Sequence, residues 1–501
     1  MAARRLLSEA EGYGLLKKKG IPVPEYRIVQ SEDAAADFSD EIGYPVAMKI
    51  VSPEIVHKTD AGGVILNVKS AAEVREAYRS IVARVKEHAP QAEIQGVMVE
   101  KQMPPGLELI IGGRRDPTFG KVITFGIGGV LVELLRDVSI RVLPIDRGEG
   151  ERMIRDIRGY RLISGYRGNR LDEEALLESI LKVSAWFYGD PSIDEFDINP
   201  LILYEDGASA VDARVYVREK GETVKKRAER REFSPDTFYA DSIAVVGASS
   251  DPRKIGYAVF RNLLSYPGRL YPVNPKRGEI LGHKAYESIA SIPGSVEMAV
   301  IAVPAPAVPQ VMEECGKKGV KLAVIVSAGF RETGEKGRET EERLLSIAKQ
   351  YGMRIVGPNS LGIMLPHQGI NTTFDPIAAR PGHIGFVSQS GAIITTVVDW
   401  SIPEEIGFSA VVSVGNQLDL SFTDYLQFLK NDPNTRAIIL YIEEIRNGKE
   451  FMDIVEEVSK EKPIIAIKSG FSEKGKAAAA SHTGSLAGSY EVYMAAFKQS
   501  G

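Results

Sequence analysis

The spacing of hydrophobic and polar positions predicts two kinds of element along the chain. Up to about residue 220, a helical period over residues 9–19 accompanies short apolar runs that predict strands at 46–50, 97–100 and 122–125. Helices and strands mixed in this irregular way predict an α+β unit in this part of the chain.

From Ser242 onward, short apolar runs alternate regularly with amphipathic segments. Strands buried on both faces give uninterrupted runs of this kind, and alternation with helices is typical of parallel sheets. The pattern predicts a doubly wound unit and, from about Phe374, a further α/β unit. The predicted strands are 243–246, 300–303, 323–326 and 354–356 in the first of these, and 384–387, 410–414, 437–441 and 464–468 in the second.

The chain is too long for one hydrophobic core, since 501 residues predict two to four domains. Residues 218–227 are mostly charged and polar, which favours a solvated linker, with a surface helix as the alternative. A domain boundary is therefore expected near residue 235.

Composition narrows the class of protein. The 48 glycines and 27 prolines without a repeat indicate many tight turns. A net charge of -5 and the absence of a dense Lys/Arg run argue against nucleic acid and leave small anions as ligands. Cys315 is the single cysteine, so disulfides within the chain are excluded, and its predicted helix (308–318) favours a packing role. No apolar run approaches the ~18 residues that span a membrane, so a cytoplasmic protein without a membrane partner is expected.

Two turns could bind one phosphoryl group. His482 lies among small and hydroxyl-bearing residues (481–488) just before a helical pattern, and residues 388–392 join a predicted strand to a helix. Helix N-termini attract anions through free N–H groups and the helix dipole. A lone histidine is more often structural, but the second turn favours His482 as a phosphate acceptor.

A nucleotide-like ligand is indicated by Gly247, Ala248 and Ser249, which follow a strand and precede a helix. One such turn is a weak signal, and no acidic ribose partner follows about 20 residues later. Lys276 lies after the next predicted strand, where it suits an additional phosphate, as in coenzyme A. A solvated surface lysine is an equally open interpretation.

The first part of the chain carries a second set of phosphate donors. Lys49 is on a predicted strand with apolar neighbours and needs an anionic partner, which a phosphate could supply. His57 and Lys58 begin a glycine-containing loop nearby. Asn199 and Asp212, on adjacent strand-like runs with Asp197, offer the sparse oxygen ligands that suit Mg-ATP, although each could also serve a turn or cap.

These segments together resemble the NDP-forming acyl-CoA synthetase family of the ADP-forming acetyl-CoA synthetase type, relatives of succinyl-CoA synthetase. The resemblance implies an ATP-grasp domain (1–225), a Rossmann-like CoA-binding domain (236–370) and a flavodoxin-like ligase domain (375–501). The segments that carry it are 57–64, 197–201 with Asp212, 247–249, 357–362, 388–392, 441–444 and 481–488.

Residue by residue, the resemblance implies a phosphohistidine at His482, an orienting carboxylate at Glu443, and a second phosphate carrier at His57. The remaining implied contacts are phosphate donors at Ser390, Gly391, Thr483 and Gly484; ATP contacts at Lys49, Lys58, Glu100 (adenine hinge) and Glu108 (ribose); Mg²⁺ ligands at Asn199 and Asp212; and coenzyme A contacts at Gly247, Ala248, Ser249, Lys276, Val303 and, near the thiol, Asn359. Ser360 departs from the family, which commonly has cysteine there.

The implied reaction converts acid, CoA and ATP into acyl-CoA, ADP and phosphate, with acetate or another small carboxylic acid. A succinate-type ligase and a CoA- or nucleotide-sensing regulatory protein are the alternatives. Family members continue for on the order of 200 residues more, a domain's length, so a separate or missing C-terminal domain is expected. A homo-oligomer is expected as well.

Overall fold

The structure, a computed structural model, describes residues 4–52, 54–55, 58, 60–129, 137–166, 168, 170–218, 231, 234–276, 278–471 and 489–501. These residues fall into two compact units. One lies within Met1–Lys226 together with Met494–Gln499, and the other within Arg227–Tyr493 together with Ser500–Gly501.

The first unit contains two antiparallel sheets. Its strands are β1 (Arg4–Leu6), β2 (Tyr26–Val29), β3 (Val46–Val51), β4 (Val64–Val68), β5 (Gly96–Lys101), β6 (Leu107–Asp116), β7 (Gly120–Ile127), β8 (Val138–Val142), β9 (Ile193–Leu203), β10 (Ala208–Ala210) and β11 (Ala213–Arg218). Its helices are α1 (Glu9–Lys18), α2 (Glu32–Ile42), α3 (Ala71–His88), α4 (Arg147–Arg155), α5 (Tyr160–Ile163) and α6 (Glu173–Gly189). The larger sheet has the order β1-β11-β9-β6-β7-β8, with β10 beside β9, and the smaller has the order β2-β5-β3-β4.

Two local features of this unit position its site. Helix α1 begins at Glu9 because Ser8 and Glu11 cap it reciprocally: the Glu11 N–H donates to Ser8 Oγ (3.3 Å), and the Ser8 N–H donates to Glu11 Oε2 (2.7 Å). Strand β3 lies inside the smaller sheet, and Lys49 is its one charged residue among buried apolar side chains. The capped helix and the buried strand therefore both present charge toward the interior.

The second unit contains a parallel sheet, a mixed sheet and a short hairpin. Its strands are β12 (Ser242–Val246), β13 (Arg269–Val273), β14 (Glu279–Ile280), β15 (His283–Lys284), β16 (Met298–Ile301), β17 (Leu322–Ile325), β18 (Arg354–Val356), β19 (Ile363–Leu365), β20 (Ile370–Asn371), β21 (Pro381–Ser388), β22 (Phe408–Ser413), β23 (Ala437–Ile442) and β24 (Ile464–Lys468). Its helices are α7 (Ile255–Asn262), α8 (Val308–Lys318), α9 (Glu335–Tyr351), α10 (Gly391–Ser401), α11 (Phe422–Asn431) and α12 (Gly448–Ser459), followed by α13 (Tyr490–Gln499), which the division into units splits.

The parallel sheet has the order β13-β12-β16-β17-β18. In the mixed sheet, β22, β21, β23 and β24 are parallel, while β19 pairs antiparallel with both β22 and β20. Every strand predicted from the pattern is present, and the mixed α/β class is confirmed. Strand β19 lies within the predicted second domain and β20 begins at its last residue, yet both belong to the mixed sheet. The domain boundaries themselves stay predictions.

Several strands differ from their predicted bounds by one or more residues, and the difference at β16 affects a predicted site residue. Strand β16 ends at Ile301, because its register with β12 stops at Val246 and Pro304 has no N–H to continue a ladder. Val303 therefore lies in the loop after β16, at the carboxyl edge of the sheet.

Cys315 is fully buried in α8, as a packing role predicts. Burial raises the pKa of its thiol to about 12. Across the part of the chain that the structure describes, none of the helices is both long and apolar enough to cross a bilayer.

Candidate active site

Lys49 is the centre of the charged site in the first unit. Its Nζ lies 2.6 Å from Glu9 Oε1 and 2.8 Å from Glu100 Oε1, and it donates to the Val211 carbonyl oxygen at 3.0 Å. Burial lowers the pKa of Lys49, but Glu9 and Glu100 outweigh it and raise this pKa above its ordinary value. The lysine is therefore held in its charged form.

A cavity of about 850 Å³ opens beside these groups. We call it the lysine cavity; its charged lining residues are Arg5, Glu9, Glu11, Lys49, Lys58, Asp212 and Arg214. Glu9 bridges the two lysines, because its second carboxylate oxygen contacts Lys58 Nζ. The cavity is large enough for a nucleotide-sized ligand.

Of the predicted magnesium ligands, Asn199 lies within β9 and Asp212 directly precedes β11. The Asn199 N–H donates to the Asp212 carbonyl oxygen at 3.3 Å, which joins β9 to the turn before β11. Burial raises the pKa of Asp212, and Glu9 raises it further. An amide and a carboxylate oxygen fit Mg²⁺, which takes few protein ligands and completes its shell with water and phosphate oxygens. Among the described residues, no group of three or more His, Cys, Asp or Glu side chains is arranged so that it could hold a metal ion.

Glu108 and Asn199 meet at a glycine turn that sequence analysis missed. The Gly128 N–H donates to the Glu108 carbonyl oxygen at 2.8 Å, and the Gly129 N–H donates to Asn199 Oδ1 at 3.4 Å. A Cβ atom at Gly129 would overlap Glu108 Oε2, and the φ of this residue is +63°. Only glycine therefore lets the ribose and magnesium candidates approach each other here.

Glu100 is the second acidic partner of Lys49. Its side chain is buried on β5 and paired with Lys49, and burial raises its pKa while Lys49 opposes the rise. An adenine contact by Glu100 stays a prediction. Glu9, which contacts both lysines, was not predicted; the capping pattern at Ser8 marked the start of its helix but not its contacts.

In the second unit, the turn after β12 depends on two glycines. Gly247 has a φ of +93°, and a Cβ atom there would lie 2.5 Å from the Ala302 carbonyl oxygen. A Cβ atom at Gly256 would overlap the Gly247 carbonyl oxygen, so helix α7 packs directly on the turn. Ala248 and Ser249 are buried beneath it. Such close approach is what a phosphate-binding turn requires.

Other predicted coenzyme A contacts lie in the loops that follow the strands of the parallel sheet. Val303 follows β16, next to β12, and its carbonyl oxygen accepts from Ser327 Oγ at 2.5 Å. The Asn359 N–H donates to the Ser327 carbonyl oxygen at 2.9 Å. Lys276 is exposed, and its backbone N–H donates to Asn274 Oδ1 at 2.9 Å. The structure thus brings Val303 and Asn359 together through Ser327.

Glu443 lies beside a second, smaller cavity of about 50 Å³, which we call the Glu443 cavity. It is lined by Arg331, Glu332, Asn359, Gln389, Gly415, Asn416, Gln417, Glu443 and Glu444. Gln389 Oε1 accepts the backbone N–H groups of Glu443 (2.6 Å) and Glu444 (2.8 Å). Ser390 follows directly and caps α10, which begins at Gly391. Asn359, Glu443 and a helix N-terminus therefore converge at one place.

Asn416 connects this cavity to α9 and was not predicted. Its Nδ2 donates to Glu332 Oε2 and Glu341 Oε1, both at 2.7 Å. Ser360 is buried: its Oγ donates to the Ser413 carbonyl oxygen at 2.6 Å and accepts the Gly362 N–H at 3.0 Å. Four predicted residues, His57, His482, Thr483 and Gly484, lie outside the described residues.

Three families match the chain in sequence order. They are an ATP-grasp domain over residues 1–217, a CoA binding domain over residues 241–366, and a succinyl-CoA ligase like flavodoxin domain over residues 381–501. This order confirms the predicted fold class.

The similarity to known proteins extends along the whole chain. An ADP-forming acetate–CoA ligase II of Archaeoglobus fulgidus is 43% identical over 500 residues, which is 99% of this chain and 72% of that protein. The alpha and beta subunits of an ADP-forming acetate–CoA ligase I of Pyrococcus furiosus are 54% and 48% identical. They match 53% and 43% of this chain, and 58% and 93% of their own lengths. Regions that lie on two subunits there lie on one polypeptide here.

A solved structure matches the second part of the chain. It is the dinucleotide forming acetyl-coenzyme A synthetase 1 of Ca. Korarchaeum cryptofilum in complex with phosphate and ADP. It is 46% identical, has a TM-score of 0.52, and the match covers 53% of this chain and 58% of that one.

Proposed function

Because the chain belongs to the family of ADP-forming acetate–CoA ligases, we propose that it interconverts acyl-CoA, ADP and phosphate with acid, CoA and ATP. We propose acetate or another small carboxylic acid as its acid. The predicted family and the predicted class of acid–thiol ligase are confirmed. Neither the succinate-type alternative nor the regulatory alternative is favoured by these relatives.

The observation that carries the proposal is the convergence at the Glu443 cavity. Gln389 holds the Glu443 backbone, Asn359 lies across the same cavity, and α10 begins two residues after Gln389. A phosphoryl group at the N-terminus of α10 would meet free N–H groups and the positive end of the helix dipole. A carboxylate beside it could fix one nitrogen of an imidazole and leave the other free.

The proposed steps follow from these groups. Phosphate attacks the acyl-CoA carbonyl carbon, the C–S bond breaks, and acyl phosphate and the CoA thiolate form. His482 then takes the phosphoryl group and the acid leaves; a second transfer, to ADP, gives ATP. In this sequence Glu443 orients and stabilises the imidazole, Ser390, Gly391, Thr483 and Gly484 donate to the phosphate, and His57 is a second carrier near the nucleotide.

The substrates are proposed to bind on the sites already described. ADP or ATP would occupy the lysine cavity, with Lys49 and Lys58 at the phosphates and Glu108 at the ribose. Mg²⁺ held by Asn199 and Asp212 would neutralise phosphate charge during the transfer. CoA would lie along Gly247, Ala248, Ser249, Lys276 and Val303, with its thiol toward Asn359. A ligase using these intracellular metabolites is proposed to act in the cytoplasm.

The test is to measure thioester cleavage for a panel of acyl-CoAs in the presence of ADP and phosphate. Cleavage is followed as release of free CoA thiol and formation of ATP. We expect acetyl-CoA or another short acyl-CoA to react. Glu443→Gln should lower turnover by at least ~100-fold, because it removes one organised acid–base contact. The control Glu457→Gln changes an exposed carboxylate in α12, paired with Lys430, and should leave turnover unchanged. Equal turnover in both variants would contradict the role of Glu443, and no cleavage of any acyl-CoA would contradict the function.

A further inference from the structure

Three oxygens already surround the ammonium group of Lys49. An ammonium group has three N–H donors, and the three oxygens of Glu9, Glu100 and Val211 lie within 2.6 to 3.0 Å of the Lys49 Nζ. A nucleotide phosphate can contact this lysine only if one of the three partners leaves it.

Two of those partners are fixed by the sheets. Glu100 lies on β5 with strands paired on both sides, is 4% exposed, and does not line the lysine cavity. The Val211 carbonyl belongs to the backbone, and the Val211 N–H donates to the Pro200 carbonyl oxygen at 3.0 Å. Glu9 is different, because its side chain lines the cavity from the first turn of α1.

Glu9 also contacts the second lysine. One carboxylate oxygen pairs with Lys49 and the other with Lys58. Burial would raise the pKa of Glu9, but the two lysines outweigh it and hold this pKa below its ordinary value. Glu9 is thus a charged group that presents two oxygens to two lysines, as a phosphoryl group does.

The charges around the two lysines favour displacement of Glu9 by a phosphate over addition of the phosphate beside Glu9. Three carboxylates, those of Glu9, Glu100 and Asp212, face two lysines. Lys49, Lys58 and Arg214 already balance these three carboxylates, so adding a polyphosphate while all three stay in place would bring in uncompensated negative charge.

We infer that Glu9 is an internal counter-ion that the nucleotide phosphate displaces from Lys49 and Lys58, and that it thereby sets the affinity of the lysine cavity for nucleotide. This rests on the proposed function insofar as the cavity is its nucleotide site. In the empty cavity Glu9 keeps both lysines charged and in place; on binding, its carboxylate turns away into the cavity opening.

The experiment is a calorimetric titration of the full chain with Mg-ADP, without acyl-CoA, so that binding is measured apart from turnover. Glu9→Gln removes the competing charge and keeps the shape. We expect the Kd to fall about tenfold, equivalent to about 1.4 kcal/mol. The control Glu41→Gln removes an exposed carboxylate of α2 that pairs with Arg27 and does not line the cavity, and should change the Kd by less than about twofold.

A Kd in Glu9→Gln equal to or higher than that of the wild type would overturn the inference, because Glu9 would then be inert or would align the lysines for phosphate. If thermal melting shows that Glu9→Gln is unfolded, Glu9→Asp replaces it. Its shorter carboxylate cannot reach both lysines and should also bind Mg-ADP more tightly; weaker or equal binding overturns the inference. Failure of the proposed function is a separate result: no acyl-CoA turnover despite Mg-ADP binding.

Discussion

The lysine cavity of the first unit and the turn after β12 in the second unit are built differently. In the cavity, the positive charge comes from Lys49 and Lys58, and buried carboxylates neutralise it. At the turn, Gly247 and Gly256 bring backbone close to where a phosphate would lie, and no lysine is buried there. Side-chain charge needs a counter-ion while the site is empty, whereas backbone N–H groups carry only partial charge and do not.

This difference predicts opposite sensitivities. The cavity should lose stability and nucleotide binding when one charge of the cluster is removed. The turn should lose stability and CoA binding when a single carbon atom is added to its backbone.

The largest expected effect is in the lysine cavity. Lys49→Met leaves Glu9 and Glu100 without their shared partner, so we expect the first unit to lose about 3–5 kcal/mol of stability and its nucleotide binding. Urea unfolding followed by Trp186 fluorescence, in a Trp400→Phe background, reports on this unit, because Trp186 is buried in α6. Lys182→Met, at an exposed i,i+4 pair with Glu178, is the control. A loss no larger than that of the control would mean that the cluster is not held together by charge.

A smaller effect is expected at the turn. Gly256→Ala would normally stabilise a helix by up to about 1 kcal/mol, but here the new methyl group overlaps the Gly247 carbonyl oxygen. We expect a net loss of about 2 kcal/mol and no rise in melting temperature on adding CoA, while Mg-ADP still stabilises the chain. Gly278→Ala has open space around its Cβ and serves as the control. A normal CoA-induced shift in Gly256→Ala would show that the close approach is dispensable.

The smallest effect concerns a buried charge in the second unit. Burial raises the pKa of Glu341, and Asn416 and Arg331 offset it only in part. The folded state therefore binds this proton more tightly than the unfolded state, so the stability contributed by Glu341 falls as pH rises above its ordinary value of 4.5. The melting temperature of the wild type should decline relative to Glu341→Gln between about pH 4 and pH 7.

Glu342→Gln, the exposed neighbour on α9, is the matched control and should follow the wild type across this range. A constant difference between wild type and Glu341→Gln at all pH values would contradict a raised pKa.

Most of the fold could be predicted because it depends on local patterns. The apolar runs marked β12, β16 and β21 to β24, and the Ser8–Glu11 cap marked the start of α1. The error at β16 came from pairing, since where a ladder stops depends on the neighbouring strand. The roles proposed for individual site residues stay predictions.

Some of the site could not be predicted. Glu9 was missed because 40 residues separate it from Lys49 and 49 from Lys58, and nothing near Glu9 in the sequence marks a partner. Asn416 was missed for the same reason, since 84 and 75 residues separate it from Glu332 and Glu341.

The sequence by itself determined most of the elements, the order of the domains, the turn at Gly247 and the family, because period, turn chemistry and motif spacing act over a few residues. Only the tertiary structure decided which charges meet: that three oxygens surround Lys49, that Glu9 bridges two lysines, and that Glu100 is buried against one of them. Electrostatic partners depend on distances of a few ångströms between residues far apart in the chain, and folding alone sets those distances.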